Sequence, residues 1–290
     1  MFFVSRRIFC GAVTALPALA THAAGPATPA AGGDPLLTIL EGEAFLLRDS
    51  SRFALAEGVT LKADDMLEVP EASGLLRLEL SDGTSLAIGP GSRAQVAPRL
   101  AGERGGARLY LLAGWLKVTA SREGRVTVLS PAFDLSTSGG SMVLSVQADA
   151  SRVFAESGET NLRRSGAAPQ TLKAGEWLTL ATGAGARPEL VNRPTQAFVS
   201  TLPRAFMDAL PSRAARFRDK PVEPRRLAAI DYAEAQPWLD AEPALRKANL
   251  PRWRPLARDA EFRRGLSAGL KAHPEWAPIL SPPEGKRPPH

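Results

Sequence analysis

The chain has a single cysteine, Cys10, among 290 residues. It lies in the N-terminal leader, so the remainder can form neither a disulfide framework nor a thiolate metal site. The fold must then rest on an apolar core, and the 44% hydrophobic composition can fill one. Histidine is nearly as scarce, at His22, His273 and His290. No Cys or His pair stands at metal-ligand spacing, which argues against a transition-metal centre, and no cofactor is expected. Between Leu36 and Leu180 there is no histidine, so a serine nucleophile there lacks its base. Gly139-Gly140-Ser141-Met142-Val143 is short of the second glycine of a nucleophile elbow. No lysine follows Gly139-Gly140 at phosphate-loop spacing. Long apolar runs are also missing. Ile8 to Ala20 is mostly apolar, but a membrane span needs about 20 such residues, and no later segment is apolar for as long.

That run has the layout of an export signal. Arg6 and Arg7 precede it, and the small residues Ala18, Ala20, Ala23 and Ala24 close it. Residues 1–24 are read as a cleaved signal peptide and 25–35 as a linker, which places the mature chain in the periplasm. Ser5, Arg6, Arg7 and Phe9 fit the twin-arginine export motif. A Sec signal with adjacent arginines is the other reading.

Charge and proline divide the mature chain near Arg187. From there to His290 stand 19 Lys+Arg against 12 Asp+Glu, and 16 of the 25 prolines. The basic character of the chain therefore belongs to its C-terminal part, and two regions of different chemistry are implied.

The first region, residues 36–186, is built of short alternating runs. Leu76, Leu78 and Leu80 alternate with Arg77 and Glu79; after Ser81-Asp82-Gly83-Thr84, Leu86 and Ile88 alternate with Ala87. Period two places the leucines on one face, and Asp-Gly is a turn signal, so this is a hairpin with one wet face. The pattern recurs at Leu116/Val118, Val126/Val128, Leu144/Val146 and Leu178/Leu180. Strands of about five residues with frequent glycine turns predict an all-β roll, sandwich or short solenoid. There is no room for crossover helices.

The order of these pieces resembles a known family. Gly42-Glu43-Ala44-Phe45-Leu46 is followed by Ala56-Glu57-Gly58 through Asp64-Asp65-Met66-Leu67, then by Leu76-Arg77-Leu78-Glu79-Leu80-Ser81-Asp82-Gly83-Thr84. Leu112-Ala113-Gly114-Trp115-Leu116, Glu156-Ser157-Gly158-Glu159 and Ala174-Gly175-Glu176-Trp177-Leu178 close the series. Together they resemble the FecR periplasmic domain over about half the chain. Ser138-Gly139-Gly140-Ser141-Met142 departs from the Gly-Thr-aromatic strand start of that family. The resemblance implies a sensing or scaffolding domain without the cytoplasmic anti-sigma segment and membrane helix of the ferric-citrate-type regulators.

The second region, residues 195–280, is read as a separate proline-rich helical unit, with Ser281 to His290 as a disordered tail. Pro203, Pro211, Pro237, Pro243 and Pro251 sit near expected helix starts. Asp259 can cap a helix from Ala260 to Ala272, whose apolar stripe is Phe262, Leu266 and Leu270. Arg252, Arg254, Arg263 and Arg264 beside Trp253 form a candidate face for an anionic partner. Alternatively the tryptophans are the core of the unit and the arginines its solvated surface. In the expected compartment, anionic lipid or acidic cell-wall polymer fits better than nucleic acid.

The functional expectation is a non-catalytic binding or scaffolding protein, partnered by an envelope protein or an anionic envelope component. A glycan hydrolase using paired carboxylates, Glu156 with Glu159 or Asp64 with Asp65, is one alternative. A signalling accessory acting with an outer-membrane receptor is another.

Overall fold

A computed structural model describes residues 33–281. The signal residues Ser5, Arg6, Arg7 and Phe9, and nearly all of the tail from Ser281, lie outside that range. In chain order the strands are β1 (Leu36–Glu41), β2 (Phe45–Arg48), β3 (Ser51–Ala54), β4 (Met66–Val69), β5 (Leu75–Glu79), β6 (Ser85–Ile88), β7 (Ser92–Val96), β8 (Leu109–Thr119), β9 (Arg125–Leu129), β10 (Asp134–Ser138), β11 (Ser141–Val146), β12 (Ala150–Ser157), β13 (Thr160–Arg163), β14 (Gln170–Leu172), β15 (Trp177–Ala181) and β16 (Glu189–Val191). Helix α1 (Gln196–Thr201), strand β17 (Arg225–Ala229), and helices α2 (Tyr232–Leu239), α3 (Pro243–Trp253), α4 (Ala260–Ala268) and α5 (Ala277–Leu280) come after them. The fold is mainly β with a few C-terminal helices, as the sequence predicts.

Two sheets form a sandwich. The first runs β1-β5-β6-β8-β11-β12-β15-β16, all antiparallel. The second runs β17-β3-β2-β4-β7-β8-β9-β10-β13-β14, with only β8 and β9 parallel. The predicted hairpin is β5–β6, with Leu78 opposite Leu86 and Leu76 opposite Ile88. Its turn holds Gly83 at φ 85°. The leucines of one face meet Leu46, Leu67, Val96, Leu109, Val128 and Leu135 of the second sheet in the central core.

Strand β8 belongs to both sheets, and its sequence shows how. Leu109 and Leu111 point into the central core, and so do Leu116 and Val118. Period two cannot connect an odd pair with an even pair unless one residue is extra. That extra residue is Leu112: Arg93 of β7 pairs with Ala113 and Ala94 with Leu111. Two residues on, Gly114 takes φ 95°, a region open to glycine. A Cβ there would lie 2.5 Å from Ser92 Cα. Ser92 Oγ in turn accepts a hydrogen bond from Trp115 N at 2.8 Å. Gly114→Ala is therefore expected to destabilise the protein by about 2–4 kcal/mol, combining backbone strain with overpacking. Chemical denaturation of the variant checks this; a loss under about 0.5 kcal/mol, the range of neutral surface changes, would contradict the crossing geometry.

Residues beyond β16 pack against the sheets. They cover the outer faces of both sheets. Residues 195–217 run as a strap over the first sheet, where Phe206 joins Ile39, Leu75 and Val143 in a second apolar cluster. The face expected to be wet is therefore covered. Arg77 and Glu79 are 8% and 5% exposed. Arg77 donates to the carbonyls of Leu210 and Pro211 at 2.9 and 3.1 Å. Glu79 accepts from Thr38 Oγ1 at 2.8 Å, from Arg213 N at 2.9 Å and from the Ser212 hydroxyl. Bonds that these two side chains would otherwise make to water are made to the strap.

The helices cover the second sheet. Trp238, Trp253 and Trp276 are 0–1% exposed and share a cluster with Leu47, Met66, Tyr110 and Leu129 of the sheet. Gln95 on β7 and Asn249 on α3 exchange two buried amide hydrogen bonds of 3.1 and 3.2 Å. Helix α4 begins where its cap predicts: Asp259 Oδ1 accepts from Glu261 N at 3.0 Å and Phe262 N at 2.8 Å. It ends at Ala268 and not at Ala272. Gly265 and Gly269 leave the space that the Tyr232 side chain fills. Pro243 does start α3, but Pro237 and Pro251 lie inside α2 and α3.

Candidate groove on the first sheet

Of the four arginines expected to form a face for an anionic partner, three are exposed and Arg252 is not. Arg252 is half-buried, and its guanidinium donates to the Asp64 carbonyl. Burial lowers its pKa, against the pull of Asp64 and its neighbours. Arg263 donates to the Leu280 carbonyl, closing the C-terminal end of the fold. Arg254, Arg263 and Arg264 are all exposed. Arg252 is thus held as a donor to the second sheet, Arg263 spends one hydrogen bond on the chain end, and Trp253 beside them is core.

The two carboxylate pairs are also occupied. Asp65 is buried and forms a two-bond bridge with Arg48, at 2.8 and 2.6 Å, while accepting from Lys62 N at 2.8 Å. The bond to Asp65 raises the Arg48 pKa. Asp64 accepts from Gln95 Nε2 at 3.2 Å and Arg99 N at 3.1 Å. Glu156 takes Lys117 Nζ at 2.8 Å and the Ser141 hydroxyl at 2.6 Å. Glu159 stands exposed on the β12–β13 turn. Glu156 lines a hollow of about 470 Å³ under the strap, and Glu159 does not. Among the described residues, no three His, Cys, Asp or Glu side chains are grouped as metal ligands. Among the same residues, no helix is long and apolar enough to cross a membrane.

A groove of about 600 Å³ opens where α1 lies on the first sheet. Trp115 and Trp177 lie out of phase with Leu116 and Leu178, so period two turns them to the outer face. Thr195 caps α1 by accepting from Phe198 N at 3.2 Å. That cap sets Phe198 against both tryptophans, with ring centroids 6.0 Å from Trp115 and 5.4 Å from Trp177. Gln147 and Asp149 of the β11–β12 turn and Arg152 of β12 also line it. Arg152 and Asp149 form a two-bond pair, at 3.3 and 2.5 Å. The Arg152 hydrogen bond holds the Asp149 carboxyl below its ordinary range.

A second hollow, of about 400 Å³, shares Glu71 and Gly91 with the first. The Arg52 guanidinium lies 3.7 Å above the Phe45 ring there. Glu68 is paired with Arg93 at 3.3 Å. Burial pushes the Glu68 carboxyl up, more than Arg93 draws it down. Trp177 and Phe198 are 8% and 5% exposed, so the aromatic surface of the two hollows is that of the half-buried Trp115 and Phe45, flanked by charges of both signs. Neither tryptophan stands out in the sequence as a groove residue. The available signal is an aromatic side chain on the polar phase of an otherwise alternating strand.

No family model matches the chain, and neither does any curated protein. Two crystal structures of a "putative anti-sigma factor" from Parabacteroides distasonis are similar to it at 16% and 15% identity, each with a TM-score of 0.39. Each match covers 47% of this chain. The chain spans less than two thirds of those proteins, 62% and 63%.

Proposed function

We propose that the protein is a non-catalytic recognition module of the bacterial cell envelope, with a FecR-like sandwich, whose groove binds a saccharide chain. The observation that carries this reading is the partly exposed Trp115 indole, backed by Trp177 and Phe198, beside the bidentate Arg152–Asp149 pair. Sugars present apolar C–H faces and a rim of hydroxyls. An aromatic surface accepts the first, and a fixed guanidinium–carboxylate pair with Gln147 satisfies the second. The occupied carboxylates favour binding over hydrolysis. The export motif at Arg6 and Arg7 supports a periplasmic location.

A titration of intrinsic fluorescence with a β-1,4-linked N-acetylglucosamine tetrasaccharide tests the reading. Because the Trp115 indole lines the groove, a saturable change is expected. Arg152→Ala should weaken binding by about tenfold, the loss of one charge-assisted contact, and Trp115→Ala should abolish it, with the circular dichroism unchanged. No saturable change would overturn saccharide binding. Growth of reducing ends during incubation would instead establish a hydrolase.

A further inference from the structure

Strand β17 ends the second sheet, and among the described residues it is the one strand contributed to the sandwich from beyond β16. It pairs with β3 alone, from Arg225 opposite Ala54 to Ala229 opposite Ser51. All five of its residues are exposed. No backbone bond joins the other side of the strand to the described residues beyond its pairing with β3. A bulge at Leu227 skips the register between Arg226 and Ala228 and leaves that leucine 38% exposed. The segment leading into the strand adds a net positive charge. Arg216, Arg218, Lys220, Arg225 and Arg226 are exposed, against the carboxylates of Asp219 and Glu223.

We infer that this open edge is a docking site for an extended acidic peptide segment of another protein, added as a further strand. A sheet edge offers a row of unpaired amide and carbonyl groups, and an extended chain satisfies them. The edge itself reads only backbone, so selection has to come from side chains. Here the five cations select carboxylates, and Leu227 offers an apolar contact at the centre. A second copy of the chain is the wrong occupant. Two such edges would bring ten cations together against four carboxylates, and the excess of like charge across a paired interface is repelled. The site is independent of the groove on the first sheet, so saccharide binding and strand addition stand or fall separately.

The test uses the full chain and a fluorophore-labelled, acetylated octapeptide of alternating glutamate and valine. Fluorescence anisotropy at low salt should show saturable binding that weakens as salt rises. The same peptide N-methylated on alternate residues keeps its charge but cannot donate to the edge. It should bind about tenfold more weakly or worse, the effect of several lost hydrogen bonds. The double variant Arg225→Glu, Arg226→Glu, in which only exposed side chains change, should lose the parent peptide as well while keeping the wild-type melting temperature. Equal binding of the parent and methylated peptides would reduce the site to a charged patch and overturn strand addition. Absence of binding at low salt would overturn the site altogether. A concentration-dependent dimer abolished by the double variant would show the second copy to be the occupant, and would equally overturn it.

Discussion

Glu79→Lys is expected to lower the free energy of unfolding by about 3–5 kcal/mol, the effect of removing one partner from a buried ionic network. An alternating strand viewed alone suggests a neutral change, since Glu79 lies opposite the leucine face. The strap removes that freedom. The carboxylate is 5% exposed and holds the strap through the Ser212 hydroxyl and Arg213 N, while Thr38 completes its shell. A lysine would leave those donors without an acceptor and set a second cation beside Arg77, whose Nε lies 3.9 Å from Glu79 Oε1. Leu78→Asp, one residue away, should do at least as much damage. Leu78 is fully buried in the central core. Its loss costs about 2–5 kcal/mol, and the new carboxylate has no partner there. Urea unfolding of both variants checks the prediction, with Glu123→Lys on an exposed turn as the control expected to lie within about 0.5 kcal/mol of the parent. Near-parental stability of Glu79→Lys would show that the strap does not rest on the sheet.

The same carboxylate makes a pH prediction. Burial by itself would raise the Glu79 pKa, but the bonds from Ser212, Arg213 and Thr38, with Arg77, outweigh it and the pKa is lowered. A carboxyl depressed in the folded state adds stability that is complete above its unfolded value, about 4.3. That stability is lost as pH falls through the folded value. Glu79→Gln should therefore cost most at neutral pH and progressively less below about pH 4.

The parts of this fold that are legible in the sequence are those set by neighbours along the chain. The β5–β6 hairpin comes from Leu76, Leu78, Leu86 and Ile88 with Asp82-Gly83 between them, and the start of α4 comes from Asp259. The hidden parts are set by partners outside the local pattern, 133 residues away for Arg77 and Glu79 and 188 for Arg252. Arg77 and Glu79 have the look of solvated residues because alternation separates two faces without saying whether the chain returns to cover one. Arg252 and Arg263 look like a binding face because their acceptors are backbone carbonyls, which carry no side-chain signature. The composition shift near Arg187 is real, and beyond it the chain turns mainly from building the sheets to covering them. Trp115 and Trp177 are legible as strand residues. Their place in a groove depends on Phe198, which α1 brings to them.

The isolated segment 195–290 is expected not to fold. Its helices α2, α3, α4 and α5 have 8, 11, 9 and 4 residues. All are shorter than the roughly 12–15 residues that a helix needs to persist in water without packing. Pro237 and Pro251 inside α2 and α3 lower their intrinsic stability further. Packing must therefore hold them, and much of that packing belongs to the sheet side. Leu47, Met66, Leu100, Tyr110 and Leu129 are buried in the cluster that contains the three tryptophans. At about 1.5–3 kcal/mol for each buried side chain, those five contribute on the order of 10 kcal/mol, as much as the whole stability of a typical domain. The fragment would also give up the Gln95–Asn249 amide pair, the Asp64 carbonyl that accepts from Arg252, and the Lys117 ammonium that donates to the Phe206 carbonyl. Strand β17 would have no β3 to pair with. Far-UV circular dichroism of the fragment should show little helix and heating should give no cooperative transition, whereas the three tryptophans should emit as solvent-exposed indoles. A cooperative melt with blue-shifted emission would mean that the helices carry their own core, and that their contacts with the second sheet add little. The full chain should unfold in a single transition, because sandwich, strap and helices share buried surface on both faces.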